Sequence, residues 1–403
     1  VARTERCIGI EGYLTDTREV GGRIKVSPED FVVEEVSLPP LKGDSHTILE
    51  IRSVNWETHA LAEKLTKILG GKVSFAGTKD RRSVSTQHFS IPLHLEREEV
   101  EGRVEGLPRV ELLGLYYSGR GLRLGDLIGN RFAITIRDHD GEIKPTIDQI
   151  LRYGGFPNFF GVQRFGSVRP ITHTVGRHLI KKNFGGAVYS YLGEGGEGEG
   201  EEVKEARKKV REGKLEDALA LFPKGFSYER RMIEKLLKGK DYISCLRSTP
   251  LYMRKLFVHA YQSYLFNRIL SERLRKKTLK EVLEGDYILP FEDGRFGIRP
   301  IRIAEPNEAA MKRVERCEAY IMGPVPGYGS EIGGSEKILD EEGVELVDFV
   351  IPEMPECSSR GTLRTLLSPV RDLDYFSNEE IRLNFFLFKG CYATSLLREV
   401  MKN

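Results

Sequence analysis

In residues 73–87, VSFAGTKDRRSVSTQ, one carboxylate, Asp80, stands among Lys79, Arg81 and Arg82. Neighbouring cations favour the charged form of a carboxylate, so Asp80 can attack an electrophilic carbon or accept a proton even where water is partly excluded. Residues 73–76 have the short apolar character of a strand and Gly77 breaks it. The charged residues therefore fall in a loop at a strand end, a common place for catalytic groups. Taken alone, the same five residues, 78–82, also read as a solvated turn with surface ion pairs.

Two other stretches carry reactive or binding groups. Asp138-His139-Asp140 follows the apolar strand 132–136 in a pattern similar to haloacid-dehalogenase-like phosphatases. Gly141-Glu142 then reads as a hairpin turn, which places that alternative behind Asp80. Residues 158–166, NFFGVQRFG, combine an amide, aromatic rings and a guanidinium. By itself this string reads as packing, with Phe159, Phe160 and Phe165 in a core and Arg164 in a structural ion pair.

The elements that must position these groups are legible by period and punctuation. Residues 22–36, GRIKVSPEDFVVEEV, read as strand, Ser-Pro turn and strand, and 48–54 as a further strand. Residues 58–69 read as a helix capped by Thr58, with Leu61, Leu65, Ile68 and Leu69 on one face and Gly70-Gly71 as its stop. Strand 110–115 leads into 118–132, SGRGLRLGDLIGNRF, whose Arg120, Arg123 and Arg131 suit either phosphates or a solvated hairpin. The acidic tract 193–202, GEGGEGEGEE, reads as a flexible surface loop whose like charge repels RNA. Residues 253–274 form the longest expected helix, with Phe257, Tyr261, Tyr264 and Phe266 in the core. After the basic segment 360–371, a strand at 381–389 and a terminal helix from Ala393 close the fold through Leu396, Leu397 and Val400.

Composition sets bounds. The 403 residues suffice for two cores, and 40% hydrophobic with 30% charged residues is ordinary for a globular protein. No apolar run is long enough for a membrane span and residues 1–14 lack the apolar region of a secretory signal, so the expected setting is the cytoplasm. Cys7, Cys245, Cys317, Cys357 and Cys391 are widely spaced and show no ligand spacing with histidine, so they read as reduced thiols and no metal site is expected. A net charge of +2 permits a basic face without requiring one.

FAGTKDRRSVSTQ resembles the central motif of the TruD family of pseudouridine synthases, where a glycine, a lysine and the catalytic aspartate run together. SPEDFVVEE at 27–35, NFFGVQRFG at 158–166, AYQSYLFN at 260–267 and GCYATSLLRE at 390–399 match the same family in the same order. Ser83 departs from it, where alanine is expected in many relatives. The resemblance implies an α+β fold, with a pseudouridine-synthase catalytic domain built on a mainly antiparallel mixed sheet and an inserted α/β TRUD domain. The expected division is 1–169 and 351–403 for the catalytic domain and 170–350 for the insertion. It implies a tRNA uridine isomerase acting on uridine 13, with Asp80 as the catalytic carboxylate and Lys25 beside it. Lys25 or Lys79 would keep Asp80 charged. In substrate binding, Phe160 would stack on the uracil, Asn158 would orient the base or the carboxylate, and Lys79, Gln163 and Arg164 would brace the loop or meet the RNA backbone. The expected partner is tRNA, bound by a monomer, with no cofactor, nucleotide or metal. The other reading is an RNA-binding protein or chaperone of the same fold without turnover.

Overall fold

A computed structural model describes residues 1–403, which divide into two compact units: residues 15–156 with 368–403, and residues 1–14 with 157–367. The first unit carries a nine-stranded sheet. Its strands are β1 (Gly21–Arg23), β2 (Phe31–Ser37), β3 (His46–Val54), β4 (Ser74–Phe75), β5 (Val84–Ile91), β6 (Val110–Ser118), β7 (Leu127–His139) and the C-terminal pair Arg371–Ser377 and Ile381–Phe388. The path across it runs Arg371–Ser377, Ile381–Phe388, β7, β2, β5, β3, β6, with β1 added to β7 and β4 to β5. Every pairing is antiparallel except β2 with β5. The expected α+β class with a mainly antiparallel mixed sheet is what is found.

Strand alternation explains the single helical layer. Phe31, Val33, Ile134, Ile136, Leu383 and Phe385 are buried, and the first, third and later members pack with Ile147 and Ile150 of helix Lys144–Tyr153 and with Leu396, Leu397 and Val400 of helix Ala393–Met401. Leu49, Ile51, Phe89 and Ile91 pack with Leu61, Leu65 and Leu69 of helix Thr58–Leu69. The rival carboxylates do not form a hairpin: β7 runs to His139, Asp138 is an exposed partner of Arg23, and the chain passes directly into helix Lys144–Tyr153.

The second unit is largely helical around Leu251–Arg275, whose Phe257, Tyr261 and Phe266 are buried, with a five-stranded antiparallel sheet beside it. It takes in both the NFFGVQRFG motif and the chain's start. Ile8, Ile10, Phe159, Phe160 and Phe165 share one core, and Asn267 Nδ2 donates to the carbonyl oxygens of Ile8 and Phe160 at 2.9 and 3.0 Å. The units change over at 156/157 and 367/368, with residues 1–14 in the second. A motif belongs to the unit whose core it fills, and sequence punctuation does not report that.

The acidic tract also differs from expectation. Glu199 is pulled onto Arg207, accepting from its Nε and Nη2 at 2.7–3.0 Å, because Arg207 faces inward from helix Glu201–Arg211 and is buried. A guanidinium in that position requires a carboxylate, and the surrounding glycines let the chain reach it. Gly196 approaches so closely that a Cβ there would lie 2.1 Å from the Val168 carbonyl oxygen.

Another close approach is testable. A Cβ at Gly176, in helix Thr172–Ile180, would lie 2.0 Å from the carbonyl oxygen of Phe257 in the long helix. Gly176→Ala is expected to destabilise the helical unit by about 1–3 kcal/mol, the usual cost of overpacking. A thermal melt with an unchanged midpoint would count against this packing.

Candidate functional site

Because β2 and β5 are parallel neighbours, the segments that enter them lie at the same end of the sheet. The turn carrying Lys25 enters β2 and the loop carrying Asp80 enters β5, which is how residues distant in sequence meet. The Lys25 ammonium hydrogen-bonds Asp80 Oδ2 and lies 4.1 Å from the centroid of the Phe31 ring. The two side chains are 18% and 36% exposed. Lys25 adopts φ 57°, a left-handed conformation that lysine rarely takes and that its two contacts help to hold.

Both entering segments are tied down. Ser27 N–H donates to Asp30 Oδ2 at 2.8 Å, and Arg137 holds the other Asp30 oxygen at 2.7 Å. The Arg137 guanidinium keeps the Asp30 carboxyl below its ordinary range against the opposing effect of burial. On the other side, Ser83 Oγ donates to the Asp80 carbonyl oxygen at 2.6 Å and Arg82 donates to the Val26 carbonyl oxygen at 2.6 Å. Ser83 thus closes the turn behind Asp80.

Lys79 points the opposite way, into a fork in the sheet. β2 pairs with β5 over Val84–Thr86 and then leaves it, while β4 joins β5 only at Phe89 and Ser90. Glu35 and Lys79 fill the gap: Lys79 Nζ donates to Glu35 Oε2 at 2.6 Å, with side chains 4% and 0% exposed. The other oxygen, Oε1, accepts from Ser37 Oγ at 3.0 Å and from the backbone N–H of His88 at 3.3 Å, a donor that has no strand opposite it on that edge. Burial, the largest influence, pushes the Glu35 carboxyl up, but His88 and Lys79 together outweigh it and the net displacement is downward. Behind Lys79, its N–H donates to Thr58 Oγ1 at 2.8 Å, Thr58 Oγ1 donates to Gln87 Oε1 at 3.1 Å, and Gln87 Nε2 donates to the Gly77 carbonyl oxygen at 3.3 Å. Of the two lysines expected beside Asp80, Lys25 is the one that reaches it. Lys79 is spent on Glu35 and anchors the loop. A cavity of about 520 Å³ in this unit is lined by Glu35 and His88 but not by Asp80 or Lys25.

The other expected residues belong to the second unit, where they gather around Arg364. Asn158 is 2% exposed, and its Nδ2 donates to the Thr365 carbonyl oxygen and Oγ1, each at 3.1 Å. Its Oδ1 and carbonyl oxygen accept from Arg364 Nη2 and Nε at 2.5 and 2.9 Å. Phe160 is 8% exposed, is held by Asn267 through its N–H at 2.9 Å, and meets Phe266 edge-on. The Arg364 guanidinium lies 4.1 Å from its ring centroid and that of Arg164 5.7 Å. Arg164 Nε donates to Ser263 Oγ at 3.3 Å, and Gln163 is exposed on the single turn Val162–Arg164. The expected open ring of Phe160 is therefore mostly covered, and the expected base-orienting amide of Asn158 is directed at Arg364.

Glu35 and Arg364 are the residues that sequence reasoning missed. A signal for Glu35 exists: Phe31, Val33 and Glu35 alternate onto the buried face of β2, so a carboxylate there needs a partner. Arg364 lies in a basic segment in which nothing distinguishes it from its neighbours. No group of three His, Cys, Asp or Glu side chains is placed to hold a metal ion, and no helix is long and apolar enough to cross a membrane.

The family model for tRNA pseudouridine synthase D (TruD) matches residues 7–400. A probable tRNA pseudouridine synthase D from Archaeoglobus fulgidus is 38% identical, covering 99% of each chain, and one from Methanococcoides burtonii is 37% identical over 100% of this chain and 98% of its own. The crystal structure of a putative tRNA pseudouridine synthase D from Methanosarcina mazei superposes with a TM-score of 0.84 at 34% identity, covering 100% of this chain and 98% of that one.

The fork makes a prediction about stability. Glu35→Gln leaves Lys79 buried without its counter-charge and is expected to cost about 3–5 kcal/mol near neutral pH. Because the folded Glu35 carboxyl sits below its free value, its contribution is complete above that free value, about 4.3, and is lost as pH falls through the folded one. Denaturant titrations should therefore show a gap between parent and variant that is constant above about pH 5 and closes under acid. A gap that widens on acidification would sink this account.

Proposed function

The chain belongs to the TruD family of tRNA pseudouridine synthases, and from that premise we propose that it isomerises uridine 13 of tRNA with Asp80 as the reacting carboxylate. The reaction breaks the N1–C1′ bond and forms a C5–C1′ bond, while C5 gives up its hydrogen as a proton and N1 takes one up. It is neutral in redox and in water, so carboxylate and ammonium chemistry suffices. Three first steps are open to Asp80: attack on C1′, attack on C6 of the base, or removal of the C2′ proton.

The observation that carries the reading is the Lys25–Asp80 contact at the common end of β2 and β5. Lys25 engages one carboxylate oxygen, Oδ2, and leaves the other for a reacting atom. The loop on either side is held by Ser83, Arg82, Thr58 and Gln87, so the carboxylate is aimed before substrate arrives. Lys79 acts as an anchor of that loop. Gln163 and Arg164 are assigned to RNA contact.

Tritium release from tRNA transcribed with 5-tritiated uridine measures the new bond directly. Asp80→Asn is expected to lower the release rate by about 10²–10⁴-fold while tRNA affinity is kept. A transcript with cytidine at position 13 is expected to release none above background. Release by Asp80→Asn at the parent rate, or binding by the parent protein without any release, would overturn the assignment. Release that persists from the cytidine-13 transcript would overturn the position alone.

A further inference from the structure

On the face of the nine-stranded sheet that turns away from helix Thr58–Leu69, β2, β5, β3 and β6 floor the cavity of about 520 Å³. Leu49, Ile51 and Phe89 pack toward the helix, so their strand neighbours Ile48, Glu50 and His88 line the cavity. Two irregularities of β6 shape it. Gly114 and Leu112 lie opposite Glu50 and Ile51, which leaves Leu113 as an extra residue, a bulge that turns its side chain to the cavity. Gly114 in turn leaves room for Tyr116 to reach Glu50: a Cβ at that position would lie 2.7 Å from both Glu50 Oε2 and the Tyr116 hydroxyl oxygen.

The lining combines apolar walls with carboxylates that no cation holds. Leu38 and Leu41, on the segment joining β2 to β3, are exposed beside Leu113 and the Tyr116 ring, and Ser37 Oγ fixes the His88 ring from 2.8 Å. Lys79 neutralises Glu35, and Arg120 neutralises Asp126. Glu34 and Glu50 have no ion-pair partner. Glu50 Oε2 accepts from the Tyr116 hydroxyl at 2.9 Å, and that bond, ahead of burial, holds the hydroxyl above its ordinary range. The Glu50 carboxylate is thereby oriented, with Oε1 and a further lone pair of Oε2 uncommitted.

We propose that this cavity takes a guanine base of an RNA, with its Watson–Crick edge on Glu50 and its ring against Tyr116. Guanine presents two adjacent donors, N1–H and N2–H, which match the two oxygens of a carboxylate. Adenine and cytosine set an acceptor beside their amine, and uracil flanks its N–H with carbonyl oxygens, so the target base is itself excluded. Unstacked RNA bases are recognised in this manner, by an aromatic face and hydrogen bonds to an edge. The carboxylates repel phosphate from the interior, while Arg131, 58% exposed and 3.5 Å from an equally open Asp372, stands in the lining to meet the backbone. The volume is that of a small-ligand site. The choice of RNA as the source of the base rests on the reading of the chain as a tRNA-acting enzyme.

The test is the affinity of the full chain for fluorescent uridine pentamers whose central residue is guanosine, inosine or adenosine, read by anisotropy. The guanosine pentamer is expected to bind about 5- to 150-fold more tightly than the adenosine one, the discrimination that one bidentate pair supplies. Inosine, which keeps N1–H and lacks the amine, should fall between them. Glu50→Gln is expected to abolish the preference. Equal affinity of the parent for the guanosine and adenosine pentamers, affinity for neither, or a folded Glu50→Gln protein with the parent preference would overturn the proposal. Guanosine monophosphate added as competitor identifies the source. Displacement only at concentrations above those at which the pentamer binds supports RNA, and displacement at or below them would overturn RNA in favour of a free nucleotide.

Photocross-linking of the parent protein needs no variant. A pentamer with 6-thioguanosine at its centre should cross-link to peptides that contain Leu113 and Tyr116 or Leu38 and Leu41, as read by mass spectrometry. Cross-links confined to other peptides would also overturn the proposal. Neither measurement depends on turnover. A protein that prefers guanosine as described but releases no tritium would refute the isomerase reading and leave the cavity's assignment standing, and tritium release without the preference would do the opposite.

Discussion

The contact between Lys79 and Glu35 is the constraint on which the sheet unit depends. Where β2 departs from β5 and before β4 joins it, the sheet leaves a backbone donor and a gap. A buried carboxylate accepts the stranded N–H of His88 and takes the ammonium of the residue next to Asp80. Burying two charges is costly and adds little net stability compared with a well-packed apolar pair. What the pair supplies is register: the loop can close only with Lys79 inward, and the chain direction then turns Asp80 outward.

That arrangement divides the cations around Asp80 into distinct tasks. Lys79 is withdrawn into the sheet, Arg82 is tied to the Val26 carbonyl oxygen, and Lys25 arrives from the other strand of the parallel pair. The lysine in contact with the carboxylate is thus distant in sequence, while the adjacent one is mechanical. Lys25 reaches it through a left-handed backbone conformation, a modest local strain of the kind found at functional sites.

The two units handle buried charge differently. In the sheet unit, Glu35 and Asp30 neutralise Lys79 and Arg137. In the helical unit, Arg207 receives Glu199, drawn from a glycine-rich acidic tract that the sequence presents as a solvated loop. Arg364 is held by Asn158 and lies 4.1 Å from the centroid of the Phe160 ring.

Sequence by itself marked many of the strands and helices and singled out Asp80 as the candidate centre, because period-two and helical patterns and a carboxylate among cations are local properties, while the class of fold came with the family resemblance. The five motifs in order carried the family, and through it Lys25. Tertiary structure alone decided which lysine meets Asp80, since that follows from the parallel pairing of β2 and β5, a contact between segments far apart in the chain. It also decided that Phe159, Phe160 and Phe165 fill the core of the helical unit and that Asn158 and Phe160 meet Arg364, a residue indistinguishable in sequence from the arginines around it. Residue type states what a side chain can do. Only packing, which chooses its neighbours from the whole chain, states what it is left free to do.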